Sequence, residues 1–294
     1  MNKVFCLSVL CVSLTSAVFR PSSAFCQQEP AYNGKSVSEW VTQLGSRSSG
    51  TEKAQASQAI RQLGTNALPS LLWELHELVG LYASNYSVID PIATNGAKPR
   101  IVELEQAFEA LGENAHPGAP ELANLFNQGS FPDIVGSMLL HADRKLAEET
   151  FVHALTNQSI EVRETALGDL VGDPGPSNAL VELAGLIKCL NDETPGTNTF
   201  GRFSYADIVR AKAARALGAE GGRMDPEKRV LALLERFQRE KVSVVRTAIL
   251  FSLGRLGASA RLALPAMRQA TSDPDPYVVE QATKSIQAIE SRGR

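Results

Sequence analysis

Histidines often bind metals or carry protons, so they are the first residues to examine for chemistry. The chain has four: His76, His116, His141 and His153. Glu77 follows the first, but a zinc-protease helix would need another histidine at position 80, which is glycine. His141 and His153 could instead meet two carboxylates, those of Asp143 and Glu148. Surface and helix-cap roles explain the same residues, so the sequence predicts no metal site.

Signatures of haem attachment, covalent catalysis and nucleotide binding are missing from the sequence. There is no Cys-x-x-Cys-His segment and no Gly-x-Ser-x-Gly segment. Gly168, Gly172 and Gly175 have the wrong spacing for a dinucleotide-binding loop, and Gly34-Lys35 lacks the upstream glycine of a phosphate-binding loop. The sequence therefore predicts a protein with no catalytic residues and no cofactor.

Arginines recur in a pattern that resembles a basic row for ligand binding. Arg163, Arg210 and Arg246 each follow a valine at the opening of an apolar segment. We interpret them as structural residues that pair with turn carboxylates or with carbonyl oxygens of neighbouring units. The segment 210–215 adds further positive charge to one helix, and we interpret it as a solvated face.

Composition narrows the class of protein. Of 294 residues, 44% are hydrophobic and only 6% are aromatic, with many alanines and leucines, which favours packed helices over a β-sandwich. The formal net charge is −3, and there is no strongly basic block. A mildly acidic chain of this kind is a poor candidate for binding nucleic acid.

A repeated unit is clearest between residues 242 and 279. An apolar helix that contains Arg246 ends at Gly257, and Pro265 then opens a second helix that closes near Asp273. The Val-Arg marker recurs at Arg163, Arg210 and Arg246, and Val279-Glu280 follows in register with Glu in place of Arg. The intervals are 47, 36 and 34 residues. Such spacing is typical of stacked two-helix repeats.

A linker motif joins a glycine to a later proline at three places: Gly64 and Pro69, Gly112 and Pro120, and Gly257 and Pro265. We expect each glycine to adopt a left-handed cap at the end of one helix, and each proline to stand near the start of the next. At the first helix, Ser36 and Glu39 have the spacing of a capping box. The predicted helix pairs are 36–63, 67–112, 117–141, 144–172, 176–218, 225–257 and 259–291.

The units resemble those of HEAT-repeat proteins, an α-solenoid family in which a helix, an Asp/Pro turn, a Val-Arg pair and a second helix follow in order. The resemblance lies in three segments, 160–163, 243–246 and 273–279. It implies an all-α fold, an α-α superhelix of the HEAT/armadillo type: a right-handed solenoid of about seven helix pairs over residues 36–291. It also implies a scaffold that binds proteins rather than an enzyme.

Two units carry insertions between their helices, at 84–98 and 191–204. Equivalent turns of a solenoid lie on one edge, so both loops should project from one rim, on the order of 25–30 Å apart. The alternative is that loops simply tolerate insertions. The candidate partner-binding residues in these loops are Tyr86, Ile89, Phe200, Arg202 and Phe203.

The N-terminal segment has the pattern of a secretory signal peptide. Lys3 precedes an apolar run at 4–14, and Ser22 and Ala24 supply the small residues of a cleavage site after position 24. Cleavage after Ala17 and lipid attachment at Cys26 are alternatives. We therefore expect signal peptide 1–24, linker 25–35 and a periplasmic or extracellular protein. Whether Cys26 and Cys189 form a disulfide stays open.

The sequence as a whole predicts an exported, non-catalytic scaffold that is monomeric, spans no membrane after processing and binds another protein. Two alternatives remain. Some lyases that attach bilin chromophores are built from HEAT-like repeats, although they act inside cells. A lipid-anchored structural module of the cell envelope would also fit the sequence.

Overall fold

The fold was analysed in a computed structural model, which describes residues 29–85, 91–129, 131–170, 179–195, 203–219 and 224–291. It is all-α, as predicted. The α-helices of the described residues are α1 Val37–Thr42, α2 Gly50–Leu63, α3 Leu68–Asn85, α4 Pro91–Leu111, α5 Ala119–Gln128, α6 Pro132–Ala142, α7 Arg144–Ala154, α8 Ile160–Leu170, α9 Ala179–Leu190, α10 Tyr205–Leu217, α11 Pro226–Arg239, α12 Ser243–Leu256, α13 Leu264–Gln269 and α14 Pro276–Ser291. Each predicted pair contains two of these helices, including the third pair, which lacks the Val-Arg marker.

The helices pack in two sets. The even-numbered helices contact one another in chain order from α2 to α14, and we call this set the even layer. We call the odd-numbered helices the odd layer. Their contacts with one another include α1 with α3, α5 with α7, α7 with α9 and α9 with α11. Among the described residues, every extensive contact joins helices no more than three apart in chain order. Each pair thus buries its apolar side chains mainly against the next pair.

Part of the predicted N-terminal linker is a β-hairpin. Strands β1 (Ala31–Tyr32) and β2 (Lys35–Ser36) are antiparallel, with Ala31 opposite Ser36. Trp40 Nε1 donates a hydrogen bond to the carbonyl oxygen of Tyr32 at 3.0 Å, which holds the hairpin against α1. The sequence did not predict these strands, because two-residue strands are too short to produce an alternating pattern.

The predicted capping box starts α1. Ser36 N donates to Glu39 Oε2 at 2.7 Å, and Glu39 N donates to Ser36 Oγ at 3.3 Å. Four apolar residues of α1 and the turn after it are buried: Val37, Trp40, Val41 and Leu44. Pro69 and Pro265 are the second residues of α3 and α13, close to the helix starts, as predicted.

The prediction of left-handed caps is wrong in one dihedral angle at two of the three linker glycines, Gly64 and Gly257. Gly64 has φ 56° and ψ −141°, and Gly257 has φ 57° and ψ −129°, so ψ is far from its left-handed helical value. Gly112 also has a positive φ, of 54°. A side chain would be strained there. This backbone leads directly into the 3₁₀ segments Gly64–Ala67, Gly112–Gly118 and Gly257–Ala263.

No helix in the described part of the chain combines the length and the apolar character needed to cross a lipid bilayer.

Candidate functional site

Four of the five candidate loop residues lie outside the described part of the chain: Tyr86, Ile89, Phe200 and Arg202. The predicted signal peptide, residues 1–24, also lies outside it. The described residue among the five is Phe203, which immediately precedes the N-cap of α10 and is 36% exposed. The predicted loop at 84–98 is wrong in part, because α3 extends to Asn85 and α4 already begins at Pro91. A rim that carries both insertions stays a prediction.

The acidic residues considered as metal ligands have other partners. Asp143 Oδ1 accepts a hydrogen bond from Leu146 N at 3.0 Å and so caps α7. Glu148 pairs with Arg144 at 3.2 Å, and the His141 ring contacts a carbonyl oxygen of its own helix. Within the described ranges, no three His, Cys, Asp or Glu side chains are grouped to hold a metal ion.

Cys189 is a buried thiol in an unreactive setting. Its Sγ donates to the carbonyl oxygen of Leu155 at 3.1 Å. Burial is the main reason that the pKa of Cys189 rises to about 12, so the thiol stays protonated at neutral pH. Cys26 lies outside the described residues, and the predicted alternatives for that residue stay open.

Arg163 is buried at the start of α8, and all of its N–H groups have partners. Its Nε and Nη2 donate to Asp192 Oδ2 at 2.8 and 2.6 Å, and Nη2 also donates to Thr194 Oγ1 at 2.8 Å. Nη1 donates to the carbonyl oxygens of Asn157 at 2.7 Å and Gln158 at 2.9 Å. The guanidinium therefore joins the turn of its own unit to the turn of the next.

The same arrangement recurs in the next two units. Arg210 Nη1 donates to the carbonyl oxygen of Asp192 at 2.8 Å, and Arg210 Nε donates to Glu240 Oε2 at 3.0 Å. Arg246 Nη1 donates to the carbonyl oxygen of Glu240 at 3.1 Å. Its Nη2 donates to Asp273 Oδ2 at 2.5 Å. We call these six residues the arginine ladder: Arg163, Asp192, Arg210, Glu240, Arg246 and Asp273.

The turn geometry explains why one acidic residue can serve two neighbours. In each turn, the carboxylate also accepts a hydrogen bond from the amide two residues later: Thr194 N, Val242 N and Asp275 N, each at 2.9 Å. This local bond fixes the turn. At Asp192 and Glu240 the backbone carbonyl then faces one arginine and the side chain faces another. The ladder is therefore a set of contacts that connect neighbouring turns.

Glu240 and Asp192, two of the ladder carboxylates, are ionised although they are buried. Burial raises the pKa of Glu240, but hydrogen bonds from Val242 and Arg236 and the charge of Arg210 outweigh it, so the pKa lies below its ordinary value. Burial also raises the pKa of Asp192, and hydrogen bonds from Thr194 and Arg163 likewise bring the net shift below the ordinary value. Both groups therefore contribute stability in the charged form.

Acid should weaken the ladder. A carboxyl group whose pKa is lower in the folded state stabilises the fold fully above the ordinary pKa, which is about 4 for Asp. That contribution is lost as the pH falls through the lower, folded-state pKa. We therefore expect Asp192→Asn to be less stable than the wild type at pH 7, and we expect the difference to shrink as the pH falls below about 4.

Urea unfolding followed by circular dichroism at several pH values measures this difference. A gap in the free energy of unfolding that stays constant down to pH 2 would show that the Asp192 charge makes no contribution through the ladder.

A groove in the even layer is the candidate binding site. It lies on α10 and α12, has a volume of about 360 Å³ and reaches Gln281 of α14. Phe251 forms part of its wall and is 42% exposed, and Arg215 and Arg255 are exposed beside it. The Arg255 guanidinium carbon lies 5.9 Å from the centre of the Phe251 ring, within the range of a cation–π contact.

Small residues shape this groove. Ala219 and Ala248 line it, and α10 and α12 approach closely beside it at Gly218 and Ser252. A Cβ atom added at Gly218 would lie 2.6 Å from the Cα atom of Ser252. Phe251, the chain neighbour of Ser252, is not covered by this packing and keeps 42% of its surface exposed.

The groove was not predicted from the sequence. Thr247, Phe251 and Arg255 are spaced four residues apart and so share one face of α12. The residues of that face could have been predicted from the sequence, but their exposure depends on the distance between α12 and α10. Arg215 belongs to the segment that we interpreted as a solvated face, and the structure places it at the groove.

The chain matches no protein-family model, and no curated protein sequence is significantly similar to it. The resemblance to HEAT repeats therefore depends on the repeated residues of this chain. Functional inference depends on the groove, the ladder and the order in which the helices pack.

Proposed function

We propose that this protein is an exported, non-catalytic scaffold of the HEAT-repeat type, which acts as a monomer and binds a protein partner on its even layer. The observation that carries the proposal is the serial packing of the even-numbered helices from α2 to α14, with an aromatic and two arginines exposed in their shared surface. A solenoid of stacked helix pairs would present such a layer as one extended surface.

The residue types in the groove favour a protein partner. Aromatic and arginine side chains supply much of the binding energy in protein interfaces, because they combine a large contact area with directed hydrogen bonds. Phe251 and Arg255 offer both within one turn of α12. Arg163 and Arg210 of the ladder differ from them, since they are buried and donate to the turns.

Export follows from the signal-like segment 1–24 and forms part of the same proposal. A mature chain that begins at Phe25 would leave the hairpin and all of the repeats intact. Lipid attachment at Cys26 would place the same scaffold on the envelope instead.

Affinity capture from the exported or envelope fraction tests the proposal. We expect wild-type protein to retain a specific partner that Phe251→Ala loses, because the substitution removes the exposed ring from the groove. Leu231→Ala is the matched control: Leu231 is 55% exposed, but it lies on α11 in the odd layer. It should retain the partner as the wild type does.

Two outcomes would contradict the proposal. One is that no protein is retained above the level of an unrelated control. The other is that both variants retain the same partner equally. An intact-mass measurement of the exported chain, in the same experiment, distinguishes a start at Phe25 from a lipidated Cys26.

A further inference from the structure

We infer that the even-layer groove binds an extended acidic segment of the partner, with a carboxylate at Arg215 and Arg255 and an apolar side chain against Phe251. The inference rests on the proposed function, because it names the chemistry of the segment that the scaffold would hold.

Charge is the first argument. In the described structure, the charged residues that line the groove are both arginines. Among the described residues, Arg215 has no ion-pair partner, whereas the nearby cation Lys212 of the same helix is paired with Glu164. The whole chain carries a net charge of −3, whereas the charged residues that line the groove are positive. A negatively charged group is its complement.

The exposed ring is the second argument. Phe251 leaves 42% of its surface accessible. It lines the groove together with the small residues Ala219 and Ala248, and its ring contacts the guanidinium of Arg255. Contact between the ring and the guanidinium restrains Arg255, so less side-chain entropy is lost when it binds a carboxylate. An apolar side chain laid on the ring would remove its exposed surface from water.

A peptide explains the groove better than other anions do. A free inorganic anion would use the arginines but leave the ring uncovered. A nucleic acid would need a longer series of cations along its phosphates than the two that the groove supplies. An extended peptide can place alternate side chains on the ring and on the arginines, while its backbone reaches the Gln281 amide across the groove.

A randomised peptide library displayed on phage provides the test, with the full chain as the bait. We expect the selected peptides to carry Asp or Glu next to an aromatic or aliphatic residue. The best peptide, labelled with fluorescein, should bind roughly tenfold or more weakly to Arg215→Ala and to Phe251→Ala. Its binding should also weaken as salt is raised, because exposed charges are screened.

Arg268→Ala is the matched control. This arginine is also exposed, but it lies on α13 and pairs with Glu290, so its loss should leave peptide binding unchanged. Circular dichroism establishes that each variant is folded. Selected peptides without acidic residues, or binding that is unchanged in Arg215→Ala, would overturn the inference. So would single-stranded DNA that competes as well as the peptide, because the groove would then recognise charge alone.

The outcomes separate the two proposals. If partner capture depends on Phe251 but no acidic peptide is selected, the scaffold stands and the inference on peptide chemistry fails. If acidic peptides bind through Arg215 but no partner is captured, the groove chemistry stands and the scaffold proposal fails.

Discussion

Replacing Glu240 with alanine should lower the free energy of unfolding by about 3–5 kcal/mol, because two buried guanidinium groups lose their shared carboxylate. Glu240 Oε2 accepts from Arg210 Nε at 3.0 Å and from Arg236 Nε and Nη2 at 2.9 and 2.7 Å. Oε1 accepts from Val242 N at 2.9 Å. The side chain is only 2% exposed, so water cannot replace these contacts without a change in packing.

The matched control is Glu235→Ala on the same helix. Glu235 is 72% exposed and lies 3.6 Å from Arg239, an exposed ion pair of the kind that contributes less than about 1 kcal/mol. Guanidinium chloride unfolding followed by circular dichroism gives both differences. Equal losses in the two variants would show that the ladder stabilises the fold no more than surface charges do.

Local sequence signals predicted the helix pairs well. The Gly-to-Pro linkers and the Val-Arg marker act within a few residues, so they place the ends of helices without knowledge of the tertiary structure. The capping box at Ser36 was predicted for the same reason. The first three pairs lack the Val-Arg marker, and in the third the linker from Gly112 to Pro120 indicated where α5 begins.

Contacts between units could not be derived in the same way. That Glu240 accepts a hydrogen bond from Arg210 of the preceding unit depends on which turn comes to lie beside which helix start. The acid at that turn is aspartate in two units and glutamate in the third, so no single motif marks it. The groove depends likewise on the distance between α10 and α12, which two small residues set.

Replacing Gly218 with alanine should lower the free energy of unfolding by about 3 kcal/mol, the upper part of the range for overpacked sites. The added Cβ would lie 2.4 Å from Ser252 Cβ and 2.6 Å from Ser252 Cα. Rotating a side chain cannot relieve contact with the backbone, so α10 and α12 must move apart. Because Gly218 has a negative φ of −85°, the loss would come from this contact and not from a strained backbone.

Gly80→Ala is the control that separates the two effects of adding a methyl group. Gly80 lies within α3, and a Cβ there would have no atom within 4 Å. The change should raise stability by about 0.5–1 kcal/mol, since alanine favours the helix. Chemical unfolding of both variants measures the contrast, and a stabilised Gly218→Ala would refute the close approach. Since that approach also sets the width of the groove, Gly218→Ala should weaken binding of the selected acidic peptide, whereas Gly80→Ala should leave it unchanged.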